Sequence, residues 1–146
     1  MKEKEIVYSL DTIDLVVDYL RDRMKDCAVF TFTGELGTGK TTLVKAFLKS
    51  CGVVQAVTSP TFTYVNIYEN QHGQTFYHFD LYRIKMVDDF IAAGFNEYLY
   101  QPNSWSLIEW PEVIVPLLDA KVCHSILDYD ADQRKIYSTS DISISI

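Results

Sequence analysis

The nine residues from Gly34 to Thr42, "GELGTGKTT", constrain this chain more than any other stretch. Gly34, Gly39, Lys40 and Thr41 satisfy G-x-x-x-x-G-K-[ST] at each fixed position. The motif lies between a short apolar run, "CAVFTFT" (27–33), and a segment with Leu43, Val44, Phe47 and Leu48 at helical spacing. A strand, a glycine-rich loop and a helix in that order form an anion cradle. The glycines let successive backbone N–H groups turn inward, and the helix N-terminus adds a favourable dipole. Glu35, Leu36, Gly37 and Thr38 complete the loop. Lys40 is expected to reach the β- and γ-phosphates of a nucleotide, the Thr41 hydroxyl to bind Mg2+, and Thr42 to touch the α-phosphate.

With 146 residues, the chain is expected to form one domain, 1–146. The composition is that of a globular protein, with 48% hydrophobic and 14% aromatic residues. A formal charge of −7 counts against a stand-alone nucleic-acid binder, so any nucleic acid is expected to be held by a partner. Cys27, Cys51 and Cys123 have no metal-type spacing and read as free thiols. "MKEKEIVYSL" lacks an apolar core of signal-peptide length, and no run of about 18 apolar residues occurs. A soluble, cytoplasmic protein is expected, with no membrane partner.

Residues 6–9 read as an extended lead-in. A helix opens at Asp11 or Thr12, with Ile13, Val16, Val17, Leu20 and Met24 on one face. Strands are expected over 62–68 and 75–79 around a hairpin loop holding Gly73, and over 105–109. A short helix over 87–93 stops at Gly94, and a link punctuated by Pro111 and Pro116 precedes a second hairpin, 122–129 with 134–139. The expected class is α/β: a P-loop NTPase-like three-layer domain with a mixed parallel/antiparallel sheet.

Two carboxylates end apolar strands, Asp80 after "FYHF" and Glu109 after "WSLI". That edge of a parallel sheet is where α/β folds bind ligands, so both are candidates for holding Mg2+ or orienting water. For Asp80 the ordinary alternative is a solvated strand end or an ion pair with Arg83. His78 reads as a packed strand residue rather than a ligand. The guanine reader Asn-Lys-x-Asp and the switch Asp-x-x-Gly are both missing, which disfavours GTP. A switch ATPase and a small-molecule kinase remain, the kinase weakened by the lack of an arginine-rich insertion.

"GELGTGKTT", "SPTF" (59–62), "HFDLYR" (78–83) and "IEWPE" (108–112) occur in this order. Together they resemble the TsaE (YjeE) family of bacterial ATPases in tRNA threonylcarbamoyladenosine biosynthesis. The resemblance runs from about residue 9 to residue 112 and extends loosely into the C-terminal hairpin. It implies an ATPase using ATP and Mg2+ that works with TsaB and TsaD, touching tRNA only through them. In that system a threonylcarbamoyl group is attached to N6 of adenosine 37, and hydrolysis would reset the complex between turnovers. The implied catalytic set is Lys40, Asp80 and Glu109, with Thr41 and Glu109 on the metal. Thr61 falls in a segment similar to a switch loop, with a rigid proline-stabilised turn as the rival reading. Trp110 is divided between shaping the site and filling the core. The resemblance also brings residues 9–12 and 132–134 near the base, which makes Ser9, Thr12, Gln133 and Arg134 candidates.

Overall fold

Alternation of side-chain direction along each strand decides the layers of this molecule. The computed structural model describes residues 3–60, 62–119 and 121–139. Its strands are β1 (Glu3–Tyr8), β2 (Val29–Thr33), β3 (Val65–Glu69), β4 (Thr75–Asp80), β5 (Ser104–Glu109), β6 (Val122–Asp130) and β7 (Gln133–Thr139). Its α-helices are α1 (Asp14–Arg23), α2 (Lys40–Ser50) and α3 (Val87–Ala92). The sheet order is β1-β7-β6-β2-β5-β4-β3. β6, β2, β5 and β4 run parallel, and β3, β7 and β1 add antiparallel edges.

Along β2, Phe30 and Phe32 pack with α1 and α2, through Val16, Leu20, Leu43 and Phe47. Val29, one residue out of phase, packs on the opposite face with Phe79, Phe90 and Ile114. Period-2 alternation thus builds two cores on one sheet, the three-layer α/β arrangement of P-loop NTPases. Each fully buried Phe contributes on the order of 1.5–3 kcal/mol relative to an exposed one. The three cysteines are buried and form no disulfide.

α2 ends where Gly52 takes φ 90°: its N–H bonds the Lys49 carbonyl and the Val53 N–H bonds the Leu48 carbonyl, a Schellman stop. The lead-in at 6–9 is longer than expected, since β1 pairs with β7 from Arg134 to Thr139. The first helix divides into a 3-10 turn (Leu10–Thr12) and α1, because the Thr12 hydroxyl accepts the Ser9 N–H and closes a tighter turn. The strand expected from residue 62 begins only at Val65. Tyr64 stands at φ 66°, with its N–H bonded to the Pro60 carbonyl, so a turn replaces the first three strand positions. The proline-punctuated link is a 3-10 segment, Glu112–Leu117.

Between the parallel strands β2 and β6, Thr31 and His124 share a register and a 2.7 Å bond between Oγ1 and Nδ1. His124 is 1% exposed, with no partner for its Nε2 among the described residues, and burial pushes the imidazole below its ordinary value of 6.5. The folded state therefore binds this proton less readily than the unfolded chain does. The contribution is fully present above about pH 6.5 and is lost as pH falls further, by at most about 1.4 kcal/mol per pH unit. Urea unfolding between pH 7.5 and 5.5 should show a shallower loss of stability in His124→Asn than in the wild type. Equal slopes would remove His124 from the acid response.

Candidate functional site

The same alternation sets the site. On β4 and β5, Phe76 and Leu107 belong to the core under α2, and His78, Asp80 and Glu109 follow them at even spacing. All three polar residues therefore face α2. The parallel register pairs Asp80 directly with Glu109, setting two carboxylates side by side at the C-terminal edge of the sheet. That edge is also where β2 opens into the glycine loop.

The loop is shaped by close approach. A Cβ on Gly34 would lie 2.7 Å from the Leu127 carbonyl and 2.7 Å from the Thr38 hydroxyl, so only glycine fits. Gly39 is the N-cap of α2 at φ 95°, in left-handed territory, with no side-chain cap on the helix. The first-turn N–H groups of α2 are thus left for an anion. The Thr38 hydroxyl donates to the Glu35 carbonyl at 2.7 Å. The Lys40 ammonium donates to the carbonyls of Gly34 and Glu35, at 2.6 and 2.9 Å. It also sits 4.2 Å from the centre of the Trp110 ring. Burial pushes the Lys40 pKa below its ordinary value, and the carboxylates of Glu109, Glu112 and Asp80 oppose that shift.

Glu109 is 2% exposed and has both oxygens engaged. The Thr41 hydroxyl donates to Oε1 at 2.7 Å, and His78 Nε2 meets Oε2 at 2.6 Å. His78 is fully buried and among the described residues its Nδ1 has no partner; a carboxylate oxygen accepts, so Nε2 is the donor of the pair. The sequence reading missed this relation, having left His78 to the packing. Asp80 makes no ion pair with Arg83. It accepts from the Ser59 hydroxyl at 3.2 Å and from the Tyr82 N–H at 3.1 Å, while Arg83 lies over the Phe62 ring.

A cavity of about 370 Å3 gathers Leu36, Gly37, Gly39, Lys40, Thr41, Thr42, Asp80, Glu109, Trp110 and Arg134 from the candidates, and adds Ser59. A second cleft of about 560 Å3 holds Ser9, Gln133 and Arg134, with Tyr8, Leu10, Asp11, Ile13 and Asp132. The two adjoin at Gly39, Thr42 and Arg134. Gly34, Glu35 and Thr38 line neither cavity. Thr12 is not in the cleft wall, because its hydroxyl closes the turn with Ser9. The Trp110 ring is partly buried against the second core, packs on Tyr82 and lies beneath Lys40. Thr61 lies outside the described residues.

The oxygen set of Thr41 and Glu109, with Asp80 beside it, suits a hard divalent ion that keeps water and phosphate ligands, as Mg2+ does. Apolar walls from Leu10 and Ile13 beside the polar groups of Ser9, Asp11 and Gln133 suit a nucleobase. Among the described residues no helix is long and apolar enough to cross a membrane.

A family model described as "Threonylcarbamoyl adenosine biosynthesis protein TsaE" matches residues 8–136. The tRNA threonylcarbamoyladenosine biosynthesis protein TsaE of Haemophilus influenzae is 36% identical over 138 residues, covering 92% of this chain and 77% of that protein. The protein of the same name from Bacillus subtilis is 40% identical over 107 residues, 73% of this chain and 65% of its own length. That of Borreliella burgdorferi is 34% identical over 90 residues, covering 62% of this chain, and the match spans 64% of its length. The crystal structure of Bacillus subtilis YdiB superposes with a TM-score of 0.67 at 23% identity, over 97% of this chain and 89% of that one. That likeness speaks for the fold.

The His78–Glu109 contact can be measured as a coupling. Urea unfolding of His78→Leu, Glu109→Gln and the double variant should give a non-additive term of about 1–3 kcal/mol, as for a buried hydrogen bond to a charged group. Additive losses would mean that the two side chains do not act as a pair.

Proposed function

This chain belongs to the TsaE family, and on that premise we propose that it binds ATP with Mg2+ and hydrolyses it within the machinery for tRNA N6-threonylcarbamoyladenosine. Its partners in this reading are TsaB and TsaD, which hold the tRNA at adenosine 37, and hydrolysis resets their complex between turnovers. The observation that carries the reading is the chain Thr41–Glu109–His78, lying under the glycine loop and tying α2 to β5 and β4.

The bases of the mechanism are positioning and charge. Phosphoryl transfer to water has a loose transition state, so a protein accelerates it by holding the reactants in line and stabilising spread negative charge. Lys40 exchanges its contacts with the Gly34 and Glu35 carbonyls for phosphate oxygens, and the first-turn N–H groups of α2 face the same anion. Thr41 and Glu109 would hold Mg2+, which supplies neutralisation of charge on the β- and γ-phosphate oxygens. His78 keeps the Glu109 carboxylate in one orientation from behind. Asp80 borders the cavity and is held by Ser59, where its carboxylate can accept a hydrogen bond from the attacking water. Water adds to the γ-phosphorus as the bond to the β-bridging oxygen breaks, giving ADP and inorganic phosphate. Trp110 walls off Lys40 from solvent. Ser9 and Gln133 line the cleft proposed for the adenosine.

The acidic surface supports leaving tRNA to the partners, since a phosphate backbone is bound chiefly through lysines and arginines. The other reading, a small-molecule kinase, needs an acceptor site under a cationic lid. The cationic candidates after the loop are Arg83, Lys85, Arg134 and Lys135, in no arginine-rich helical insertion, and α3 has six residues. ATP labelled at the γ-phosphate distinguishes the two. The label should leave as free phosphate, at a rate that rises when TsaB and TsaD are added. Label recovered in a phosphorylated metabolite would establish the kinase instead.

A further inference from the structure

Arg134 is a half-buried cation at the turn end of β7, and among the described residues it makes no ion pair. Its guanidinium rests 4.3 Å from the centre of the Tyr129 ring. Tyr129 is its cross-strand partner in the β6–β7 hairpin, so the two side chains share the face that looks toward α2. Arg134 Nε lies 3.7 Å from where a Cβ on Gly39 would be. Gly39 caps the N-terminus of α2, the positive end of that helix. A guanidinium beside a positive helix end is repelled, and the ring only partly offsets this. An anion between the two turns the repulsion into attraction from both sides.

The location says which anion. Arg134, Gly39 and Thr42 are the residues that line both the nucleoside cleft and the phosphate cavity. In a nucleotide laid through both, the group at the junction is the phosphate attached to the sugar.

We propose that Arg134 binds the α-phosphate of the nucleotide, and that Tyr129 is its positioning residue. The sequence resemblance brought Arg134 near the base; the junction assigns it to the phosphate. Tyr129 has a second hold on the site, because its hydroxyl donates to the Gly37 carbonyl. The N–H of the same peptide, on Thr38, bonds the Glu35 carbonyl at 3.2 Å. The Gly37–Thr38 peptide is therefore fixed at both ends, and one tyrosine sets loop and arginine relative to each other.

The inference rests on the nucleotide reading given above, and adenosine, AMP and ADP separate the two. Dissociation constants are measured by NMR titration, which reads millimolar binding, for wild type, Arg134→Ala, Arg134→Lys and Tyr129→Phe. Arg134→Ala should weaken AMP and ADP alike by about 10- to 100-fold, the span of one charge-assisted pair, and leave adenosine about unchanged. Arg134→Lys should recover part of the loss, which a fold defect would not. Tyr129→Phe keeps the ring and loses the hydroxyl, so AMP and ADP should weaken by about 3- to 10-fold. Adenosine weakened as much as AMP would assign Arg134 to the base and overturn the proposal. ADP weakened with AMP unchanged would move Arg134 to the β-phosphate and overturn it as well. Unchanged binding in Arg134→Ala would end this proposal but leave the nucleotide reading, whereas a wild-type chain that binds none of the three would end both.

Discussion

Glu109 is a carboxylate taken almost entirely out of water, a placement that costs several kcal/mol unless its oxygens are satisfied. Thr41 satisfies one oxygen and His78 the other. Those two contacts join three elements that are distant in sequence: the helix after the glycine loop, the strand beside β2, and the next strand outward. The loop can present its helix N-terminus to a phosphate because this carboxylate fixes the start of α2 against the sheet edge. A mobile cradle would have to order itself at each binding event, and that entropy would reduce affinity.

The sheet makes this convergence possible through register. Four parallel strands deliver their C-terminal ends to one edge, and the pairing of Asp80 with Glu109 follows from how β4 and β5 align. Both carboxylates face α2 because side chains alternate, and Leu107 and Phe76 anchor that phase in the core. A slip of one residue would turn Asp80 and His78 to the face of α3. The antiparallel hairpin on the other side serves the same edge differently. It brings Tyr129 and Arg134 over the loop and, with β1, forms the wall of the cleft proposed for the nucleoside.

The glycine loop, the helix after it and the strands ending in Asp80 and Glu109 were legible in the sequence, because spacing and local propensity determine them. What was not legible depends on pairing between distant segments. His78 stands between apolar neighbours in "FYHF", where a histidine in the packing and a histidine bonded to a carboxylate look the same. Only the β4–β5 register distinguishes them. Ser59 lay within a motif already singled out, yet attention went to Thr61, which lies outside the described residues. Tyr8 entered the cleft because β1 pairs with β7, a contact that no local pattern announces. The strand expected from residue 62 starts late for a local reason that propensity does not weigh, the turn that bonds Tyr64 back to Pro60.

If Glu109 joins the loop to the chemistry, neutralising it without changing its shape should separate binding from hydrolysis. The direct measurement is single-turnover ATP hydrolysis by Glu109→Gln in the presence of TsaB and TsaD, with nucleotide affinity measured on the same preparation. The amide keeps an acceptor for Thr41 and can donate to His78 Nε2 once that ring carries its proton on Nδ1, so nucleotide should still bind while hydrolysis falls by about 100-fold or more. Hydrolysis at the wild-type rate would contradict the account, since the buried carboxylate would then be a structural pin and nothing more.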